Sequence, residues 1–233
     1  MKLETIEEKY AYSFPPLYKK MWEEGMLNWM RGFEEPLEKG KSWAADVYPE
    51  IKEHPPALLH SGGLDFELLT PAQLLDFKYP ELWNVEKHHF IPIGKMAEGN
   101  VYAFYQNVKI EGENPVVLIW DDMDETEFYA RNFEDFIFRK MLEATYDIDK
   151  EELEADYGKE NPMEAYRADI LRDLESISPY LKKEYVEILK ALYNEDISES
   201  LISYTIRGPR GIGEIMEENL GFEFMGKVFS HEI

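Results

Sequence analysis

Residues 88–107, HHFIPIGKMAEGNVYAFYQN, decide how this chain is read. The stretch opens on two adjacent histidines and ends in three closely spaced aromatics, Tyr102, Phe104 and Tyr105. It is either a metal or catalytic site or a piece of sheet with a polar lead-in. FIPIG and NVYAFYQ are apolar runs of strand length, and Glu98, Gly99 and Asn100 between them supply turn chemistry. The pattern predicts a β-hairpin at the centre of a sheet. Adjacent residues in a strand point to opposite faces, so His88 and His89 cannot easily chelate one ion. Zinc sites on regular elements use spacings that converge, such as i and i+4 on a helix. The other histidines, His54, His60 and His231, stand alone in sequence. His88 and His89 are therefore read as solvent-facing residues that lead into a strand. The aromatics alternate between the core and the opposite face.

Downstream, VVLIWDD at 116–122 begins as a continuous apolar run, as expected of a central strand buried on both faces. ARNFEDFIFRKMLEA then predicts a helix. Asn132 is its N-cap, and Phe133, Phe136, Ile137, Lys140 and Met141 fall at helical spacing, with the lysine stem at the edge of the face. Upstream, Thr70 followed by Gln73 has the form of a capping box, with Pro71 at the first helical position. A short helix should begin there, preceded by a strand at DFELL. Nearer the N-terminus, Leu3, Ile6 and Tyr10 mark a first helix that Pro15 and Pro16 break. Pro16 suits the first turn of a second helix, in which Leu17, Met21 and Trp22 share a face. Residues 31–64 hold Pro36, Pro49, Pro55, Pro56 and the Gly62-Gly63 pair, which predicts a long loop with one short helix around WAADVYPEI.

The composition shifts near residue 147. DIDKEELEAD, 147–156, carries six acids and one lysine and reads as a solvated connection or an exposed helix end. Two amphipathic helices follow at 163–176 and 179–193, and the tail from Gly208 reads as a helix and a final strand. The fold class is α+β: a mixed, mainly antiparallel sheet flanked by helices, with a mostly helical C-terminal extension. The boundary between the α+β domain and the extension is set at 145/146, with the extension packed on the domain.

The formal net charge is -23, spread along the whole chain, with 24 acids in 1–133 and 24 in 134–233. Such a field repels phosphate backbones and anionic membranes and speeds encounter with a basic protein. The chain has no cysteine, which excludes disulfides, thiolate metal sites and cysteine nucleophiles. The N-terminal residues MKLETIEEKY lack the apolar core of a signal peptide, and VVLIW is too short to span a membrane. The expectation is a soluble, cytoplasmic protein.

The densest acidic cluster after a strand is DDMDETE, 121–127. Acids at such a place can bind a divalent cation. The calcium-loop pattern fails, because aligning Asp122, Asp124 and Thr126 as ligands puts Glu127 where glycine is needed and Phe133 where the bidentate glutamate belongs. GPRGIG, 208–213, matches neither the P-loop nor the dinucleotide fingerprint and reads as a flexible turn. No Gly-x-Ser-x-Gly elbow is present. The expectation is no catalytic residue, no cofactor and no metal, with Asp121, Asp122, Asp124 and Glu125 as the partner-binding residues. The alternative is a metal-assisted hydrolase that uses the 121–127 acids with help from histidine.

The order of these pieces resembles the SUKH superfamily of bacterial toxin-immunity proteins and fungal regulators of cell-wall synthesis. The resemblance rests on FPPLYKKMW at 14–22, FELLTPAQLL at 66–75, HFIPIGKMAEGNVYAFY at 89–105, VVLIWDD at 116–122 and NFEDFIFRKM at 132–141. It covers about residues 1–145. EEGML at 23–27 stands where the family usually shows Asn-Gly-Gly, and Phe104, Tyr105 and Gln106 stand where it usually has an acidic residue. Residues 146–233 have no counterpart in the family's core pattern. The resemblance implies a non-enzymatic immunity protein that neutralises a basic toxin by occluding its active surface, or a regulatory adaptor as in the fungal branch. Nucleic acid and membrane are not expected as partners, and the sequence leaves the oligomeric state open.

Overall fold

The two runs on either side of residues 98–100 form the expected hairpin. β2 (Phe90–Lys95) pairs antiparallel with β3 (Val101–Tyr105), with Phe90 opposite Tyr105 and Lys95 opposite Val101. The turn is closed by the Met96 amide on the Asn100 carbonyl at 2.9 Å and the Gly99 amide on the Met96 carbonyl at 3.0 Å. Gly99 sits at φ 102°, and a Cβ there would come within 2.9 Å of the Asp121 carboxylate. Left-handed backbone and a tight neighbour both require glycine at this position. The computed structural model describes residues 2–61 and 66–233. Gly62 and Gly63 of the expected loop, and Asp65 at the head of the expected strand, lie outside the described residues.

β4 (Val116–Ile119) pairs with β3, and β5 (Thr126–Ala130) pairs with β4. The sheet is completed by β1 (Glu67–Leu68) beside β2 and β9 (Val228–Phe229) beside β5, so its order is β1-β2-β3-β4-β5-β9. Every pairing in it is antiparallel. The sequence pattern predicts no strand over β5. TEFYA is short, follows a run of acids and carries Glu127 as its second residue, so neither an apolar run nor a clean alternation announces it.

All residues of β3 and β4 are buried, and each strand has an apolar neighbour set on both faces. On one face Phe104 meets Tyr12, Phe14, Tyr18 and Phe133, with ring centroids 5.7–6.0 Å apart. These rings come from the connection between α1 (Leu3–Tyr10) and α2 (Pro16–Glu23), from α2 itself and from the start of α5 (Phe133–Glu143). On the other face Val101, Ala103, Tyr105, Val117, Ile119 and Phe128 form one core with Trp83 and Phe90. Phe222, Phe224 and Phe229, from the end of the chain, pack against that core.

The local signals act as expected. Thr70 and Gln73 form a reciprocal capping box at the start of α4 (Pro71–Asp76). The Asp135 amide donates to Asn132 Oδ1 at 2.9 Å, which caps α5. The buried face of α2 is Tyr18 and Met21, with Leu17 and Trp22 half-buried, so the apolar stripe is rotated by one residue from the expected Leu17–Met21–Trp22 face. WAADVYPEI forms a π-helical turn, Trp43–Val47, that runs into α3 (Tyr48–Ile51).

Beyond α5 come β6 (Ile148–Asp149), α6 (Lys150–Tyr157), α7 (Pro162–Ile177), α8 (Lys183–Tyr193), β7 (Ser198–Glu199), β8 (Ser203–Thr205) and α9 (Pro209–Leu220). β6, β8 and β7 make a small three-stranded antiparallel sheet. GPRGIG is not a loop: α9 starts at Pro209, so Gly211 and Gly213 lie inside a helix and cradle nothing ahead of it. The chain gathers into two compact units, each built from separated segments. One holds Met1–Met30, Leu64–Phe136 and Leu220–Ile233; the other holds Arg31–Gly63 and Ile137–Asn219. A single boundary at 145/146 does not describe this arrangement, because the last segment returns to the first unit.

Val117 is fully buried on an interior strand, with apolar neighbours on its own face. Replacing it with aspartate places an unpaired charge in that core. Val117→Asp should lower unfolding free energy by roughly 4 kcal/mol, read as a shift of the urea midpoint with unchanged slope.

Candidate functional site

The acidic turn joins β4 to β5. The Trp120 amide donates to the Glu125 carbonyl at 3.1 Å and the Glu125 amide to the Met123 carbonyl at 2.8 Å, so the turn folds back on itself. The Asp121 amide donates to Asn100 Oδ1 at 2.9 Å, which ties it to the β2–β3 turn. Asp121, Asp122, Asp124 and Glu125 are all exposed as residues, yet they do not share one role. Asp124 grips the end of the chain. Its Oδ2 accepts from Ser230 Oγ at 2.6 Å, and its Oδ1 accepts from the amides of His231 at 2.7 Å and Glu232 at 2.8 Å. These bonds favour the ionised form and hold the carboxyl below its usual range, the Ser230 hydroxyl contributing most.

The gripped tail continues from β9. The Asn84 amide donates to the His231 carbonyl at 2.7 Å, and the Ile233 amide to the Leu82 carbonyl at 3.1 Å. His231 is 1% exposed, with Nδ1 3.0 Å from Thr126 Oγ1 and its ring edge-on to Trp83. Burial lowers its pKa, and the nearby Asp124 carboxylate offsets this only in part. The His231–Asp124 approach of 4.0 Å is thus not an ion pair at neutral pH. What the turn offers outward is the remaining acids, Asp121, Asp122 and Glu125. Exposed apolar side chains fringe them on the same segments: Met123 in the turn, Val228 and Ile233 in the tail, and Leu82 in the loop that the tail pairs with.

The opening histidines separate. His89 is exposed, as expected. His88 is buried, contrary to expectation, with Nδ1 2.8 Å from the Tyr105 hydroxyl and its ring stacked on Phe90. Pairing across the hairpin turns it inward, and burial lowers its pKa so that the ring stays neutral. Among the described residues no group of three or more His, Asp or Glu side chains is placed to hold a metal ion.

His60, isolated in sequence, joins a polar network in the other unit. Asp173 Oδ2 accepts from the His60 backbone amide at 2.8 Å and faces His60 Nδ1 at 3.0 Å. His60 Nε2 lies 3.1 Å from the Tyr48 hydroxyl and 3.3 Å from that of Tyr157, which donates to Asp169 at 2.9 Å. Arg172 spans Asp169 and the Lys52 carbonyl. Burial raises the pKa of both tyrosines, which keeps their hydroxyls as donors. The network fastens the segment around residues 48–60 to α7. One signal in the sequence points to it: Asp169 and Asp173 occupy the same helical face as Tyr166, Ile170, Leu174 and Ile177, where a carboxylate needs a partner.

An antiparallel sheet covered on one face by N-terminal helices and a capped closing helix, with an acidic turn at one end, is an α+β scaffold of a definite class. Over residues 2–139 the chain matches the model of the SMI1 / KNR4 family (SUKH-1), and it belongs to that family. No curated protein and no solved structure matches it. Membership supports immunity or cell-wall regulatory roles in general. No helix among the described residues is long and apolar enough to cross a membrane.

Asp124→Ala removes all three side-chain anchors of the tail while leaving the turn's own hydrogen bonds. Amide exchange at His231 and Glu232 should accelerate at least about tenfold, with exchange in β3 and β4 unchanged. Unaltered exchange at the tail would show that β9 pairing and the contacts with residues 82–84 and Thr126 hold it without Asp124.

His88 and His231 are both held below the ordinary histidine value of 6.5. The unfolded chain therefore takes up protons near that pH while the folded chain does not, so stability falls as pH drops below it. The thermal midpoint should decline between about pH 7 and 5.5 and stay flat above pH 7. His231→Gln should remove part of that decline.

Proposed function

We propose that this chain is a non-enzymatic binding protein of the immunity type, which neutralises a basic toxin by protein–protein contact. The observation that carries the reading is the acidic turn on a chain of net charge -23 in a SUKH-1 family member. Asp121, Asp122 and Glu125 stand on a turn fastened at both ends, to Asn100 and to the tail, so the charges are presented without the cost of ordering a loose loop. A field of this sign steers a cationic protein and mimics the anionic substrate of a basic nuclease. The apolar fringe of Met123, Val228, Leu82 and Ile233 gives a docked partner surface to dehydrate.

The hydrolase reading draws on the same acids with histidine help. It is less well supported, because both Asp124 oxygens accept from the tail and His231 is buried against Trp83 and Thr126. The adaptor role of the fungal branch would use the same kind of surface, with a different partner.

The test first establishes whether a gene beside this chain's encodes a basic toxin, and takes that toxin as the partner. Association should slow at least about tenfold between roughly 0.05 and 0.5 M salt, with dissociation changing less. Replacing Asp121 and Asp122 with asparagine and Glu125 with glutamine should slow association several-fold more than neutralising three acids of 147–156. Equal effects from the two triple variants would reduce the turn to one contributor among many. A chain that neither binds nor protects against the toxin would refute the reading.

A further inference from the structure

The other concentration of exposed apolar surface lies outside the family-matched residues, at the tip of the β7–β8 hairpin. Leu201 is 97% exposed and Ile202 74%. A solvated loop gains nothing from two adjacent aliphatic side chains, and a tip that served only as a connection would be polar.

The tip is held rigidly. Ser200 Oγ accepts from the Ser203 amide at 2.9 Å and the Ile202 amide at 3.2 Å, and the Ser200 amide donates to the Ser203 carbonyl at 2.8 Å. The Lys150 amide donates to the Ile202 carbonyl at 2.9 Å, which fixes the tip against the first turn of α6. Leu201 and Ile202 are thus displayed outward on a hydrogen-bonded frame, so little conformational freedom remains to be lost on binding.

The surroundings define the chemistry of what would cover them. Glu151 and Glu152 are exposed on the turn of α6 beside the tip. Residues 147–156 hold six acids and only Lys150, which is paired with Glu199 of β7 and lies over the Tyr204 ring. Arg207, just past β8, is paired with Glu195. The local cations are engaged within the chain, and the excess charge facing outward is negative. A second copy of this chain, or an anionic bilayer, would be repelled by it.

We infer that the tip of the β7–β8 hairpin, Leu201 and Ile202, is an anchor that seats in an apolar socket rimmed by lysine or arginine on a basic protein partner. This rests on the basic-partner reading above and adds a second contact, contributed by the part of the chain that the family pattern does not include. Apolar burial holds the complex, while the flanking acids select the socket by its rim.

The probes are two fluorescent synthetic peptides of equal length and equal positive charge, one alternating lysine-rich and leucine-rich turns along a helix, the other with every leucine replaced by serine. Each is titrated into the full chain and into the Leu201→Ser/Ile202→Ser double variant, with anisotropy as the readout. The double variant should melt with the parent, since both side chains are already in water. The lysine–leucine peptide should bind the parent more tightly than the lysine–serine peptide, and the double variant should lose roughly tenfold for the first and nothing for the second. Amide exchange at 198–205 should slow only with the lysine–leucine peptide. If both peptides bind and the double variant matches the parent, the anchor is refuted while the attraction for basic partners stands. If neither peptide binds, the basic-partner reading fails and the anchor falls with it.

Discussion

The structure depends on β3 and β4 being apolar on both faces. A strand with no polar side cannot rest on one layer and give the other to water, so this chain must cover its sheet twice. The first cover comes from outside the strands on either side: the α1–α2 connection, α2 and the aromatic start of α5 close around Phe104. The second comes from far away. Trp83 and the aromatics Phe222, Phe224 and Phe229 of the last segment pack on Val101, Ala103, Tyr105, Val117 and Ile119. The return of the chain after α9 follows from that requirement. β9 is short because its task is to bring Phe229 onto the core and to close the β5 edge.

The same requirement reassigns one of the acids in the turn. A tail that closes a sheet edge has to be fixed there, and two residues of β pairing hold little. Asp124 supplies the fixation by accepting from a hydroxyl and two consecutive amides. The acidic turn is therefore divided between structure and display: one carboxylate faces the tail, and three others remain exposed around it. Gly99 belongs to the same assembly, because its missing Cβ lets the Asp121 carboxylate lie close against the neighbouring turn.

The second unit has an apolar core of its own and adds to it a buried polar network. Burying His60, Asp169 and Asp173 is costly unless each finds partners, and the tyrosine hydroxyls with Arg172 provide them. The consequence is a specific, hydrogen-bonded seat for the segment around residues 48–60 on α7. The β7–β8 hairpin shows the opposite arrangement, with apolar side chains outward on a polar frame. That inversion is the observation on which the proposed contact at the tip rests.

The sequence by itself determined the elements whose signals are local. The capping box at Thr70, the Asn132 cap, the turn at Gly99, the hairpin and the interior strand 116–119 all follow from spacing and side-chain chemistry within a few residues. The order of those pieces also carried the family. It did not determine β5, whose early Glu127 and acidic lead-in hide its strand character, nor the slight rotation of α2, which depends on what the helix packs against. Of the candidate site, the concentration of charge at 121–127 was legible and its division of labour was not. Asp124 meets residues 230–232, His60 meets Asp173, and His88 turns inward to Tyr105, each across a sequence separation that no local pattern encodes. Those partnerships exist only once two distant segments are packed together, because a buried polar group takes its role from the neighbour that satisfies it.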